Sequence, residues 1–215
     1  MKKPSLAILA ATGAAVAAFF TLAPADHASA ANECSTELAI DDIERAEAER
    51  LYDCAIDGLV AGWRKGDHPV ALAYRDWAPA STWAAATGTH GNRFLFSFVN
   101  DTGKDAYLAF AEENVDMPVG TIIAKESFTI GKKGDKKGKV VSGPLFLMEK
   151  VAAGEFDETD NWKYTLITPK GKPWLQSGKT EPAKIAKFCH DCHSAVGEDQ
   201  DFLYYPDEDA RVASN

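Results

Sequence analysis

The sequence predicts an α+β fold, in which an antiparallel β-sheet carries helices on one face, with a long helix before the sheet and a short helical segment after it. Three observations support this class. Apolar residues recur at helical spacing in residues 41–66, aromatic and β-branched runs follow between residues 93 and 168, and turn-forming segments separate those runs. The chain of 215 residues, of which 46% are hydrophobic, is long enough to bury one sizeable core.

The beginning of the chain has the pattern of a secretory signal. Lys2 and Lys3 precede an apolar stretch from Leu6 to Leu22, and Ala28-Ser29-Ala30 offers a small-residue cleavage site. We expect residues 1–30 to be removed and the mature protein to be periplasmic, with no membrane contact. The alternative is a retained membrane anchor, which the alanine-rich composition of the stretch disfavours.

The mature chain is strongly acidic. Loss of Lys2, Lys3 and Asp26 from the 23 basic and 32 acidic residues leaves 21 and 31, a net charge of −10. Nucleic acid is therefore not an expected partner. Since no internal repeat or linker divides the sequence, we expect an N-terminal helical segment at residues 31–70 and one domain at residues 71–215.

The long helix is expected from about Asp41 to Gly66. Asp41 and Glu44 have the spacing of a capping box. The residues that follow form an apolar stripe suited to packing on a core: Ile43, Leu51, Ala55 and Leu59, flanked by Tyr52, Ile56, Val60 and Trp63.

Cys34 and Cys54 form an even pair in an exported protein, which favours a disulfide. An unbroken helix from Thr36 to Cys54 would hold the two thiols about 27 Å apart, because a helix rises about 1.5 Å per residue. The helix must therefore begin later, so that residues 34–40 can fold back toward Cys54. The alternative is two separate reduced thiols.

The remaining elements follow in order along the chain. The charged, glycine-containing stretch from Lys132 to Lys139 is expected at a hairpin tip, since its glycines permit positive φ and its charges favour solvent. We expect strands at Arg93–Asn100 and Thr121–Ile130, two or three more within Val140–Val151 and Trp162–Thr168, and short helices at Asp105–Glu113 and Pro182–Phe188.

The most informative motif is Cys189-His190-Asp191-Cys192-His193, a Cys-x-x-Cys-His sequence. Two thiols three residues apart can form thioethers with the two vinyl groups of one porphyrin, while the adjacent imidazole ligates its iron. We therefore expect one heme c, attached covalently through Cys189 and Cys192, with His193 as the metal ligand and the group held between sheet and C-terminal segment. The alternative is a redox-active cysteine pair beside an incidental histidine.

Five stretches resemble, in the same order, those of the cytochrome P-460 family. They are Tyr74-Arg75-Asp76-Trp77, Pro118 to Glu126, Gly143 to Met148, Asn161-Trp162-Lys163-Tyr164, and the C-terminal Cys-x-x-Cys-His. The resemblance covers residues 74–205. It implies a periplasmic, β-rich, mono-heme protein, usually a homodimer, with a five-coordinate iron that is open on its distal side.

The resemblance also implies a chemistry. Family enzymes oxidise hydroxylamine or handle nitric oxide, whereas the relatives called cytochrome c′-beta bind diatomic gases below a cap of aromatic residues. The expected partners are thus a small-molecule substrate or gas ligand and a periplasmic cytochrome that accepts electrons. Three functions stay open: a heme oxidoreductase, a gas-binding protein without turnover, and an electron carrier with a filled sixth position on its iron.

Family enzymes carry a lysine bonded to the porphyrin edge, and the Gly-Thr-x-x-x-Lys-Glu pattern of residues 120–126 is similar and places Lys125 there. Lys125 is thus a candidate for cofactor binding and for catalysis. Strand alternation alone favours a different interpretation, a solvated lysine on the polar face. Glu126 would then lie on the apolar face, where a carboxylate needs a basic partner or hydrogen-bond donors.

Four residues offer a side chain that can act as a sixth iron ligand: Met148, Met117, His68 and His90. Met148 lies in an apolar run typical of a core. His90 lies in a turn, where a pocket role and a surface or capping role are both open. We therefore expect the sixth position to be open.

An open sixth position on the iron would be surrounded by side chains that decide which molecules bind there. Phe94, Phe96 and Phe98 share one strand face, and together with Phe128 they are candidates for an apolar cap that favours neutral molecules such as nitric oxide. Ordinary sheet core is the alternative. Arg93, a lone charge beside this aromatic strand, is the second catalytic candidate.

Overall fold

The computed structural model describes residues 34–176 and 183–214. The signal peptide predicted for residues 1–30 lies outside the described residues. Within them, no helix is both long and apolar enough to cross a membrane.

The helices and strands confirm an α+β fold with an antiparallel sheet. The described helices are α1 (Arg45–Arg64), α2 (Pro69–Ala73), α3 (Lys104–Leu108) and α4 (Ala183–His193). The described strands are β1 (Ala78–Pro79), β2 (Ala85–Thr87), β3 (Arg93–Val99), β4 (Ile122–Ile130), β5 (Val140–Ser142), β6 (Leu145–Lys150), β7 (Trp162–Ile167) and β8 (Pro173–Gln176).

The sheet has the order β1-β3-β4-β6-β7-β8, with β2 also paired to β3 and β5 also paired to β4. Every pair of neighbours is antiparallel. The strands predicted at residues 93–100, 121–130 and 162–168 are confirmed to within a residue or two. Gly143 and Pro144 divide the segment 140–151 into two strands, since proline cannot donate to a ladder. The charged segment from Lys132 to Lys139 joins antiparallel β4 and β5, as predicted.

Helices cover both faces of the sheet, so the expectation of one covered face is wrong. On the first, which we call the α1 face, Leu51 and Trp63 of α1 pack with Phe94, Phe128 and other residues of the central strands. On the second, the site face, Met148 and Tyr164 pack with Cys189 of α4 and the C-terminal segment. Because side chains alternate along a strand, apolar residues of both registers on β4 and β6 are buried, and each face needs its own cover.

The long helix begins later than the capping box predicts. Residues 40–42 form a 3₁₀ turn, and the helix begins at Arg45, where Glu44 occupies the N-cap position without a side-chain cap. Ile40 and Ile43 are both buried in the core of the α1 face. The chain therefore buries Ile40 and Ile43 and turns back toward α1 before the helix begins. The predicted capping box does not form.

The disulfide between Cys34 and Cys54 is present, with Cα atoms 5.4 Å apart. The geometric argument that the helix must start after the first cysteine is thereby confirmed. The segment before α1 is also held by backbone bonds to the β4–β5 hairpin, from Thr36 N to Gly138 O and from Val140 N to Cys34 O.

Glu126 has the partners that its place on the α1 face demands. Its carboxylate accepts hydrogen bonds from Tyr52 (2.6 Å), Tyr74 (2.7 Å) and Arg75 (2.9 Å) while only 2% of its surface is exposed. Arg75 also donates to the Tyr52 hydroxyl. Tyr74 and Arg75 belong to the Tyr-Arg-Asp-Trp stretch of the resemblance, which therefore serves to satisfy a buried carboxylate.

We predict that Cys34→Ala/Cys54→Ala lowers the free energy of unfolding by about 3 kcal/mol, because a bridge across some 20 residues restricts the unfolded chain by about that amount. Denaturant unfolding of the holoprotein measures it. Cys54→Ala alone should cost a similar amount, and a double variant as stable as the parent would contradict the stabilising role.

We predict that Tyr74→Phe costs about 1.5–3 kcal/mol, because it removes a hydrogen bond to a buried charge. Tyr107→Phe is the matched control. Tyr107 is equally buried, but its hydroxyl donates to a neutral acceptor, the carbonyl of Tyr204, so its loss should cost about 0.5–1.5 kcal/mol. Equal losses in the two variants, measured by thermal and denaturant unfolding, would argue against a charged carboxylate at Glu126.

Candidate heme site

Helix α4 contains the whole Cys-x-x-Cys-His motif, so the predicted short helix is longer and delivers all three groups itself. Residues three and four apart share one face of a helix, which brings Cys189 close to both Cys192 and His193. Neither thiol is in a disulfide, and Cys189 is half-buried while Cys192 is exposed. Burial raises the pKa of Cys189 to about 11, the opposite of what a redox-active cysteine pair requires.

His193 is buried and held in one orientation. Its Nδ1 lies 2.8 Å from the backbone carbonyl of Phe202, and the ring packs between Tyr164 and Tyr204. Burial, together with the nearby charge of Lys125, lowers the pKa of His193 to about 3, so the ring is neutral at neutral pH. A neutral ring that donates from Nδ1 keeps the lone pair of Nε2 for a metal.

The carbonyl that holds His193 is itself fixed by its neighbour Asp201. The Asp201 carboxylate accepts bonds from Lys150 Nζ (2.7 Å), Trp162 Nε1 (3.1 Å) and Met117 N (2.9 Å). Asp201 and Phe202 both adopt positive φ, 45° and 59°. Strained backbone of this kind persists where the surroundings over-determine it, and here it aims a carbonyl at the histidine.

A second contact fixes the motif helix against the sheet. His190 Nε2 lies 2.9 Å from the Asp160 carboxylate, and its Nδ1 lies 3.3 Å from the Tyr164 hydroxyl. His190 thus occupies the variable part of the motif but works as an anchor, which leaves His193 as the imidazole aimed at the site.

Lys125 is buried on the site face, so its interpretation as a solvated strand residue is wrong. Only 6% of it is exposed, and Nζ donates to the carbonyl of Tyr204 at 2.9 Å. Burial lowers the pKa of Lys125 to about 8. A fraction of the amine is therefore uncharged near neutral pH, with a lone pair available for reaction.

Two cavities meet at Lys125. The larger, of about 300 Å³, is lined by Lys125, by residues 85–90 and 204–207, and by Leu95 and Ser97 of β3. The smaller, of about 20 Å³, is lined by Lys125 with His193, Cys189, Phe146, Met148 and their neighbours. Both open on the site face, so the residues of the motif and Lys125 border one region.

His90 also reaches this region. Its ring centroid lies 6.2 Å from that of His193 and 4.8 Å from that of Phe146. Burial, with smaller effects of Lys125 and Arg93, lowers the pKa of His90 to about 4. Arg93 starts β3 in the register of Leu95 and Ser97, and therefore on the site face.

The other candidate ligands are placed differently. Met148 lines the smaller cavity. Met117 is buried in the core of the site face and lines neither cavity described here. His68 lies near Glu149 and Lys163, whose strand register is that of the α1 face, and its Nδ1 is buried without a hydrogen-bond partner among the described residues.

The four candidate phenylalanines form sheet core, which was the alternative to an apolar cap. Phe94, Phe96, Phe98 and Phe128 all have the α1-face register, opposite to Lys125. Phe94 stacks on Phe128 with centroids 4.8 Å apart, and Phe96 stacks on Tyr52. They are sheet core, because strand alternation that buries Lys125 on one face sends these rings to the other. The tyrosine and phenylalanine side chains that line the two cavities are Phe146, Tyr164, Tyr204 and Tyr205, which sequence reasoning missed.

One comparison with known proteins finds a matching family. The sequence profile of the family described as Cytochrome P460 matches residues 72–205, more than half of the chain. The chain belongs to the cytochrome P460 family. As a member of this family, the chain is a heme protein. No curated protein matches the chain.

The residues of the site fit a heme. A neutral imidazole with Nε2 left for a metal, two thiols outside any disulfide, and cavities bounded by Lys125, Phe146 and Met148 form a suitable donor set and apolar border. Cys189 and Cys192 would hold the porphyrin, and His193 its iron.

We predict that Cys189→Ala/Cys192→Ala abolishes covalent heme, because no thiol is then left to bond either vinyl group. Heme staining after denaturing electrophoresis and intact mass measure this. Each single variant should retain at most one thioether, and Cys34→Ala/Cys54→Ala, the control, should keep covalent heme. Undiminished covalent heme in the double variant would contradict the assignment, unless it disappears when Lys125→Ala is added.

Proposed function

We propose that this chain is a periplasmic protein with one heme c, bound through Cys189 and Cys192, that oxidises hydroxylamine or handles nitric oxide at a coordination position open to exogenous ligands. The observation that carries this is His193, a buried neutral imidazole whose Nδ1 is held by the Phe202 carbonyl. Such a histidine would supply one strong ligand to the iron.

When bound, the heme supplies a redox-active iron that accepts electrons from hydroxylamine or binds nitric oxide. The chain's own residues bind and orient the group. Cys189 and Cys192 would hold it on α4, His193 would ligate its iron, and Phe146 and Met148 would provide apolar surface. Exclusion of water by these residues favours neutral small molecules over ions.

Lys125 favours an enzyme over a protein that only binds a gas. It is buried at the junction of the two cavities, with a pKa of about 8. We propose that its amine lies at the porphyrin edge and bonds to it. That bond would form when the amine nitrogen and an edge carbon each lose one hydrogen, with two electrons passing to an oxidant such as a peroxide.

Arg93 is the second catalytic candidate. It stands at the start of β3 in the site-face register, near enough to His90 for its charge to contribute to the lowered pKa of that ring. A fixed cation there can orient a polar substrate or stabilise negative charge. Its replacement would therefore weaken turnover more than heme binding.

Two further parts of the proposal concern the surroundings of the protein. The Cys34–Cys54 disulfide agrees with an oxidising compartment such as the periplasm. Hydroxylamine oxidation releases electrons, so a periplasmic cytochrome that accepts them is the expected partner. A homodimer remains a prediction from the family.

Electron transfer is the second candidate function, and the position of His90 favours it. A ring 6.2 Å from His193 can fill the coordination position that substrate needs. Gas binding without turnover is the outcome if ligands bind but hydroxylamine is not oxidised.

We predict that Lys125→Ala retains heme through Cys189 and Cys192 but loses any red-shifted absorption band and the hydroxylamine oxidation of the parent, since the bond to the macrocycle is absent. Absorption spectra, mass of the heme peptide and turnover with an artificial electron acceptor measure this. Lys163→Ala is the control, because Lys163 pairs with Glu149 away from the site face.

Parent and Lys125→Ala proteins with the same spectrum and the same turnover would show that Lys125 does not tune the heme. A parent that binds nitric oxide but does not oxidise hydroxylamine would assign the chain to the gas binders. A parent that binds no small molecule in either oxidation state would leave electron transfer as the function.

A further inference from the structure

The turn between β2 and β3 brings a second histidine close to His193. His90 is the residue of this turn whose ring comes within 6.2 Å, centroid to centroid, of His193, and the two ring planes are 82° apart. No bond joins the two imidazoles. The rings meet edge to face, and Lys125 is close to both of them.

The separation of the two rings matches that of two ligands on one metal ion. Imidazoles that ligate a metal from opposite sides, each at a metal–nitrogen distance of about 2 Å, hold their ring centroids roughly 6 Å apart. A histidine that instead hydrogen-bonds to a metal-bound molecule stands farther away, by the length of that molecule and a hydrogen bond of about 2.7–3.2 Å. The observed separation fits the first arrangement and is too short for the second.

The backbone of the turn that carries His90 has an uncommon conformation. His90, Gly91 and Asn92 have consecutive positive φ values of 54°, 76° and 53°. Glycine adopts this conformation freely, whereas histidine and asparagine adopt it less often and need surrounding contacts that favour it. Residues of this kind gather at sites that hold ligands, where the surrounding contacts fix them.

The side-chain contacts of His90 leave the correct nitrogen available. Its Nδ1 lies 3.2 Å from Thr89 Oγ1, and its ring meets Phe146 edge to face at 4.8 Å. These contacts orient the ring and occupy Nδ1. They therefore leave Nε2 for a metal, as the Phe202 carbonyl does for His193.

From this geometry we propose that His90 is the sixth ligand of the iron in the resting protein and that an exogenous molecule must displace it. The inference rests on the proposed heme site and adds to it a means of control. The iron is closed while His90 is bound and opens when the β2–β3 turn releases it. This replaces the sequence-based expectation of an iron that is open at rest.

The need to displace His90 lowers the apparent affinity of the iron for an exogenous ligand. If the position is open in only about one molecule in ten, the apparent affinity for a ligand falls about tenfold relative to a permanently open site. Because release of His90 precedes binding, the observed binding rate should reach a plateau as the ligand concentration rises.

His90→Gly tests the proposal. Glycine accepts the positive φ of this position, so the turn is preserved while the imidazole is removed. We expect the parent holoprotein to be low-spin in both oxidation states, His90→Gly to be high-spin, and added imidazole to restore the low-spin spectrum. Absorption and electron paramagnetic resonance spectra give this readout without turnover. His68→Gly, a histidine near Glu149 and Lys163 on the other face, is the control and should match the parent.

Kinetics of carbon monoxide and nitric oxide binding give the second readout. The parent should show a plateau in rate, whereas His90→Gly should show a linear dependence and an apparent affinity about tenfold higher. A high-spin parent, or a His90→Gly protein that stays low-spin without imidazole, would overturn the proposal. Low-spin behaviour that depends on His90, in a protein that oxidises no hydroxylamine and binds no gas even as His90→Gly, would support this ligand and reject the proposed function.

Discussion

The site depends on one hydrogen bond, from Nδ1 of His193 to the backbone carbonyl of Phe202. A neutral ring that is held at Nδ1 presents Nε2 to a metal. The Phe202 carbonyl is in turn fixed because Asp201 accepts bonds from Lys150 and Trp162. The position of the imidazole is thereby set by strands β6 and β7, far along the chain from the motif.

The same sheet separates two kinds of buried charge. Lys125 and Glu126 are neighbours in β4, yet they point to opposite faces because side chains alternate along a strand. Glu126 receives three donors on the α1 face, where its carboxylate is satisfied within a stable core. Lys125 receives only a carbonyl among the described residues of the site face and stays partly uncharged. One residue is therefore structural and the other is available for chemistry.

Part of the fold and part of the heme site could be predicted from the sequence. The strands, the disulfide and the need of Glu126 for donors follow from local patterns, since periodicity and cysteine pairing act over short distances. The face of the sheet that holds the heme site could not be predicted, because the Lys125 register of β4 is largely polar and indicates solvent, yet Lys125 and Ser127 are buried. Phe202 acts through its carbonyl, which no side-chain pattern signals. His90 approaches His193 only through the turn geometry of residues 90–92, for which the sequence offers little beyond Gly91.

We propose that His193 binds iron through Nε2 while its Nδ1 is held by the Phe202 carbonyl. A crystal structure of the ferric holoprotein tests this most directly. We expect a heme on the site face of the sheet, with His193 Nε2 on the iron and the bond from Nδ1 to Phe202 retained. A heme on the α1 face, or an iron whose protein ligands do not include His193 Nε2, would contradict it.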